Sequence, residues 1–240
     1  MGTSWAEIIT NYAMVYIDDI RLTEQAATSP ALFFRRMALY MEAAIPAFNR
    51  PPEITEYLRE GLSNAVYDDF EWVSTDESVE TSVTVNTGKT GYGVCSVVVR
   101  DSDRAGNVQL VAYGRTEYDP ETGNVTFPKQ DKAGIVYELD FYSDGSFGNE
   151  LTASQKRILG LCVACVWDER FSRNWLNMQM KIHDQSFDTV NESNYIKEVT
   201  ARLETNRGLF AEAMHKYEQD CAYLNTVTAK GWGTKPKRFV

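Results

Sequence analysis

Few side chains in this sequence could do chemistry, and their spacings point elsewhere. Cys162 and Cys165 have the C-x-x-C spacing of a redox pair or half a zinc site. They fall inside Ile158-Leu-Gly-Leu-Cys-Val-Ala-Cys-Val-Trp167, an almost wholly apolar run. The sequence has no second C-x-x-C, and its two histidines are His183 and His215. The pair is therefore read as buried thiols acting as small hydrophobes, with a reducing compartment as the simplest setting. Thr87-Gly-Lys-Thr90 ends like a phosphate-binding loop, but that signature needs a glycine five residues before Gly88, where Val83 stands, and a helix behind it. A hairpin turn between two strands is expected there. Asp101-Ser-Asp103 with Gly106 begins like a calcium loop, yet Ala105 and Ala112 stand where oxygen ligands are needed, so a solvated turn is expected. Glu138 and Asp140 share one face of a strand, as paired acid–base carboxylates can, although alternation on a half-exposed strand accounts for them. Ile182-His-Asp184 sets a histidine beside an acid without any G-x-S-x-G turn to present a nucleophile. Gly91 and Gly93 belong to no G-x-G-x-x-G opening a helix. No catalytic residue, cofactor or metal is assigned, and the chain is read as a non-enzyme.

The elements that would hold these residues divide the chain in four. Residues 1–69 are expected to form three amphipathic helices. Trp5 to Tyr16 has apolar residues at 5, 8, 9, 12, 13 and 16. Ser29-Pro30 supplies an N-cap and a first-turn proline for a helix carrying Leu32, Phe33, Met37, Tyr40, Met41 and Ala44, stopped by Pro46. A short helix with Ile54, Tyr57, Leu58 and Leu62 facing inward follows Pro52. Residues 70–148 change to a period of two: Val79, Thr81, Val83 and Val85 alternate with polar residues, followed by strands near 94–99, 108–113, 125–127 and 135–141. Tyr118-Asp-Pro-Glu-Thr-Gly-Asn124 is a hairpin signal, with Pro120 at the second turn position and Gly123 free to take positive φ. Five or six such strands predict a small antiparallel sandwich or partial barrel inserted between helices.

Helices resume in residues 149–227. Thr152-x-x-Gln155 is a capping box, and the helix behind it, to about Arg170, is apolar nearly all round and belongs at the centre of the helical part. Phe171 to Asp188 reads as a polar-aromatic link, in which Trp175, Met178 and Met180 fit no core face. A final helix from about Glu192 to Asn225 repeats Ile196, Leu203, Phe210, Tyr217 and Leu224 every seven residues. Val199 and Ala213 partly fill the second heptad position, which Asn206 and Asp220 interrupt. At roughly 50 Å, such a helix must lean along neighbours, in its own chain or another. The fold class is thus α+β: a helical bundle with a long C-terminal helix and an inserted small antiparallel β-sandwich or barrel.

Charge and composition narrow the function classes. Hydrophobic residues make up 43% and aromatic residues 12%, enough apolar material to offset the entropy of ordering. No stretch approaches the run of about 18 apolar residues that spans a membrane, and Met1 to Tyr12 lacks the basic segment of a secretory signal. The net charge is −10, which disfavours broad contact with a nucleic-acid backbone. Residues 228–240 are the exception, with four basic residues, Lys230, Lys235, Lys237 and Arg238, and no acid. Trp232 and Phe239 give this arm aromatic anchors, so it is expected to dock on an acidic neighbour.

This arrangement of helices, inserted β-domain, buried helix, long terminal helix and basic arm resembles the head–tail connector (adaptor or neck) proteins of tailed bacteriophages. The segments that carry the resemblance are Ser29-Pro-Ala-Leu-Phe-Phe-Arg-Arg-Met37, Arg50-Pro-Pro-Glu-Ile54, and Leu151-Thr-Ala-Ser-Gln-Lys-Arg-Ile-Leu159 with the helix after it. The resemblance implies a structural virion protein, assembled in the host cytoplasm. Its copies, commonly twelve, would form a ring beneath the portal, between portal and tail, around a channel through which DNA passes without specific binding. Lys230, Trp232, Lys235, Lys237, Arg238 and Phe239 would then be the docking arm, and Trp175, Met178 and Met180 would lie at subunit contacts. Tail-completion and baseplate components share this logic. A reading from a different class is a ligand-binding sandwich for a glycan or peptide, using Tyr92, Tyr113, Tyr118, Tyr137 and Tyr142 on one exposed sheet face.

Overall fold

The structure, a computed structural model, describes residues 2–17, 19–101, 108–110, 116–182 and 190–229. It is α+β, with two antiparallel sheets and a C-terminal helix of 40 residues. The chain divides into two compact units: Met1–Asp19, Met37–Ser63 and Ser146–Val240 form one, and Ile20–Arg36 with Asn64–Gly145 form the other. This division places Ile20–Arg36 with the sheets.

In the first unit, Ser4 caps helix α1 (Trp5–Ile8) by accepting from the Glu7 N–H at 3.1 Å. The helix continues as one π-helical stretch, Ile9–Ala13. Trp5, Ile8, Ile9 and Ala13 are buried, following the expected apolar face. The capping box forms as predicted: the Thr152 N–H donates to Gln155 Oε1 at 2.8 Å and the Gln155 N–H to Thr152 Oγ1 at 3.3 Å. It opens α6 (Ala153–Ile182), in which residues 158–165 are buried without a break. Gly160 is required where the π-helical stretch crosses α6, because a Cβ there would stand 2.7 Å from Tyr12 Cβ, 2.8 Å from Tyr12 C and 2.9 Å from Ala13 N. The last helix, α7 (Val190–Ala229), runs antiparallel to α6: Asp168 meets Arg202, and Gln155 meets Tyr217.

The helices depart from the sequence expectation in two places. Phe171 to Asp188 is not a link from its start, because α6 continues to Ile182. The segment holds no proline or glycine to stop a helix, and Leu176, Met178, Gln179 and Met180 are good helix formers. Helix α2 (Ile20–Thr28) is an element the sequence reading did not include, and of its residues Leu22 alone is buried. Helix α3 (Pro30–Ala44) matches its prediction, with Phe33, Met37, Tyr40, Met41 and Ala44 buried. It passes into a 3-10 turn, Ile45–Ala47, at Pro46. Helix α4 (Glu53–Arg59) follows, with Ile54 and Leu58 buried.

The chain leaves the first unit at Ser63 and re-enters at Ser146, and these two residues exchange both backbone hydrogen bonds at 2.8 Å. Closely spaced ends are what lets a folded unit be inserted into another. Gly148 lies beside this junction; a Cβ on it would meet the Glu60 carbonyl oxygen and the Gly61 Cα at 2.7 Å.

The second unit holds a four-stranded sheet, in the order β1 (Val66–Val73), β7 (Ile135–Ser143), β3 (Gly93–Asp101), β4 (Val108–Leu110). A three-stranded sheet has the order β2 (Val83–Asn86), β6 (Asn124–Phe127), β5 (Glu117–Asp119). Alternation decides which side of β7 is buried: Tyr137, Leu139 and Phe141 join Val94, Val97, Val125 and Phe127 in the core, while Glu138 and Asp140 face away. Trp72 of β1 stacks on Phe127 of β6 at 4.1 Å between ring centroids, joining the two sheets. The predicted β5–β6 hairpin forms, with Gly123 at φ 72°. Val79 is not on a strand: Asp76–Glu80 forms a short helix, α5, whose acidic first turn suits a helix start. The turn at Thr87–Gly91 is not a hairpin, because β2 and β3 belong to different sheets.

Candidate functional site

The described motifs singled out for chemistry each have a place in the architecture. Cys162 and Cys165 are buried in α6, and the Cys162 thiol donates to the Ala44 carbonyl at 3.6 Å. Burial pushes the Cys162 thiol up to about 12 and the Cys165 thiol up to about 11, so neither supplies thiolate near neutral pH. Cys95 occupies the irregularity between Val94 and Ser96 in the β3–β7 ladder, and burial holds its thiol at about 11 despite the neighbouring Arg35.

The Gly-Lys-Thr turn is consumed by local bonding. Thr87 N and Thr87 Oγ1 donate to the Gly123 carbonyl at 2.9 and 2.8 Å, and the Gly91 N–H donates to Pro120 O at 2.7 Å. Lys89 pairs with Asp68, whose carboxyl is held below its ordinary range by that contact, and the Lys89 carbonyl accepts from the Tyr118 hydroxyl. A segment used this way is a clasp on the β5–β6 turn and cradles no phosphate.

Glu138 and Asp140 each have a separate structural partner. Arg100 NH2 reaches Glu138 Oε2 at 2.6 Å, while Asp140 Oδ2 accepts from Ser96 Oγ at 2.5 Å and faces Arg35 NH1 at 3.2 Å. Each carboxylate thus has an arginine of its own on a half-exposed strand. His215 bonds Gln219, one turn away on α7. His183 and most of the Asp101–Gly106 turn lie outside the described residues.

The tyrosines offered for a ligand face are largely interior. Tyr137 and Tyr142 are 5% and 4% exposed. Tyr118 and Tyr92 pack edge-on to Phe141 at 5.2 and 6.5 Å. Tyr113 lies outside the described residues. Tyr137 belongs to the core of the β-unit and Tyr92 and Tyr118 pack against it, so the described tyrosines form no coplanar exposed platform.

Of the partner-binding residues expected from sequence, Trp175, Met178 and Met180 lie along the second half of α6, within one turn and a half of each other on a helix rather than in a link. Their side chains are not described. Lys230, Trp232, Lys235, Lys237, Arg238 and Phe239 lie outside the described residues. In the sequence they follow directly on Ala229, the last residue of α7. By its antiparallel pairing with α6, α7 runs about ten residues, roughly 15 Å, past the level at which α6 begins. Tyr223 in that extension is 69% exposed, and Leu224 is 44% exposed, ending the buried heptad stripe that includes Leu203 and Tyr217.

Sequence reasoning missed one polar centre. Asp168 is 0% exposed in the middle of the first unit. Arg202 donates to it from Nε at 3.1 Å and from NH2 at 2.6 Å. Asn206 Nδ2 adds a third donor at 3.1 Å and also reaches the Tyr16 carbonyl at 3.4 Å. The available signals were an aspartate at the end of an apolar run and an asparagine in a heptad core position.

Among the described residues no group of three His, Cys, Asp or Glu side chains is placed to hold a metal ion. No helix among them is long and apolar enough to cross a membrane. Compared with known proteins, the chain matches no family model, no curated protein and no solved structure.

Proposed function

We propose that this chain is a non-enzymatic, ring-forming structural protein of a tailed-phage particle, a head–tail connector joining portal to tail around the DNA channel. The observation that carries the reading is α7. It is 40 residues long, about 60 Å, outruns the helix it packs on, exposes Tyr223, and leads into a basic, aromatic-bearing arm. Exposed aromatic residues near a charged arm suit a contact with another subunit, because they bury area at low cost in side-chain entropy. The buried cysteine pair, the Gly-Lys-Thr turn and the Glu138 and Asp140 ion pairs each have structural partners, which is compatible with a role in assembly. A net charge of −10 suits a channel wall that lets DNA slide without gripping it.

Truncation before Thr228 tests this. The shortened subunit is expected to fold and to form its homo-oligomer while failing to join its portal-side partner in reconstituted particles. Normal joining without the arm refutes the docking role, and a strictly monomeric full-length chain, measured by mass in solution alone and with particle components, refutes the ring.

A further inference from the structure

The packing of α7 on α6 poses a problem of alignment that apolar contacts alone do not solve. Val199, Leu203, Phe210, Ala213 and Tyr217 recur at heptad positions, and Val199, Leu203 and Tyr217 are buried. A stripe repeating every seven residues meets its partner nearly as well after sliding by seven, about 10 Å of axial travel. Asn206 interrupts the stripe at a buried position, and with Arg202 it surrounds the fully buried Asp168.

Sliding α7 by seven residues one way would bring Leu209 and Ala213 to the places of Arg202 and Asn206. Sliding it the other way would bring Tyr195 and Val199 there. In both cases Asp168 loses its cation inside the core, a state that burial strongly disfavours. Both carboxylate oxygens have donors in the observed alignment: Oδ1 from Arg202, Oδ2 from Arg202 Nε at 3.3 Å and from Asn206.

We propose that Asp168, Arg202 and Asn206 form a register lock, which selects one alignment of the α6–α7 hairpin from those its heptad pattern tolerates. The lock acts by penalising the alternatives rather than by adding stability. A buried asparagine in a coiled-coil seam sets register on the same grounds. The alignment of α7 in turn decides how far its C-terminal extension projects.

Paired spin labels on the full-length chain test the lock. Labels at Ser154→Cys and Glu204→Cys, in a Cys221→Ser background and diluted with unlabelled chain, read the axial offset between the helices; both positions are exposed. With the native triad a single distance is expected. With Asp168→Leu, Arg202→Met and Asn206→Leu together, the melting midpoint is expected to stay level or rise. A second distance population, displaced by about 10 Å, is expected to accompany it. One unchanged distance in a folded triple variant overturns the proposal, as do two distances with the native triad. If the triple variant does not fold, Asn206→Leu alone is read instead: a minor displaced population supports the lock and a single distance refutes it.

Discussion

The two units of this protein each have a central element, and they treat polar groups in opposite ways. In the helical unit, α6 is buried on all sides over residues 158–165, and its polar residue Asp168 is enclosed with its partners. In the β-unit, β7 is equally central, but alternation over residues 137–141 sends Glu138 and Asp140 to the other face, where Arg100 and Arg35 meet them at half-exposed positions. A strand has a dry face and a wet one at every second residue; a helix at the middle of a bundle has no wet face. A charge on such a helix is therefore either an error or a device. The same residue type, aspartate, consequently carries different weight in the two places.

That contrast is testable by matched substitutions. Asp168→Ala leaves Arg202 and Asn206 facing an empty core position and is expected to cost about 3–5 kcal/mol. Asp140→Ala, at a half-exposed pair, is expected to cost under about 1 kcal/mol. Denaturant unfolding of both variants checks this, and similar losses at both sites would erase the distinction.

Glycine gives a second matched pair inside the helical unit. Gly160→Ala forces the π-helical stretch away from α6 and is expected to destabilise by about 1–3 kcal/mol. Gly208 also sits within a helix, α7, but a Cβ there meets nothing within 4 Å. Gly208→Ala is therefore expected to stabilise by up to about 1 kcal/mol. Thermal midpoints moving in opposite directions are the expected result.

The smallest effect belongs to the β5–β6 turn. Asp119 accepts from Thr122 Oγ1 at 2.6 Å and from the Glu121 N–H at 3.0 Å, and these bonds lower its pKa. A carboxylate whose folded-state pKa is lowered stabilises above its unfolded-state value, near 4, and loses that contribution as pH falls through the folded-state value. Melting midpoints followed from pH 6 down to pH 2 should therefore fall slightly more steeply in the native chain than in Asp119→Asn. Equal slopes would remove the turn carboxylate from the acid limb.

Elements whose signals are local were legible in the residues alone. The capping box at Thr152, the stop at Pro46, the 118–124 hairpin and the apolar run of α6 each depend on neighbours within a turn. Helix α2 and the helical continuation past Arg170 went unread, although helix α2 is amphipathic and the continuation holds no helix breaker. The Gly-Lys-Thr turn is not the hairpin the sequence suggests, because pairing partners are chosen across the sheet and not by the turn. For the candidate assembly surface, sequence supplied the basic arm and the length of α7, while the offset between α7 and α6 follows from how the two helices pack.

The order of residues by itself determined the α+β class, the burial of the cysteine pair and the heptad character of the last helix, because period and capping act over one to two turns. Only the tertiary structure decided that Asp168 has a cation, that Gly160 lies under a crossing backbone, and that Tyr137 and Tyr142 are buried. Those outcomes depend on contacts between segments dozens of residues apart, which local patterns do not encode.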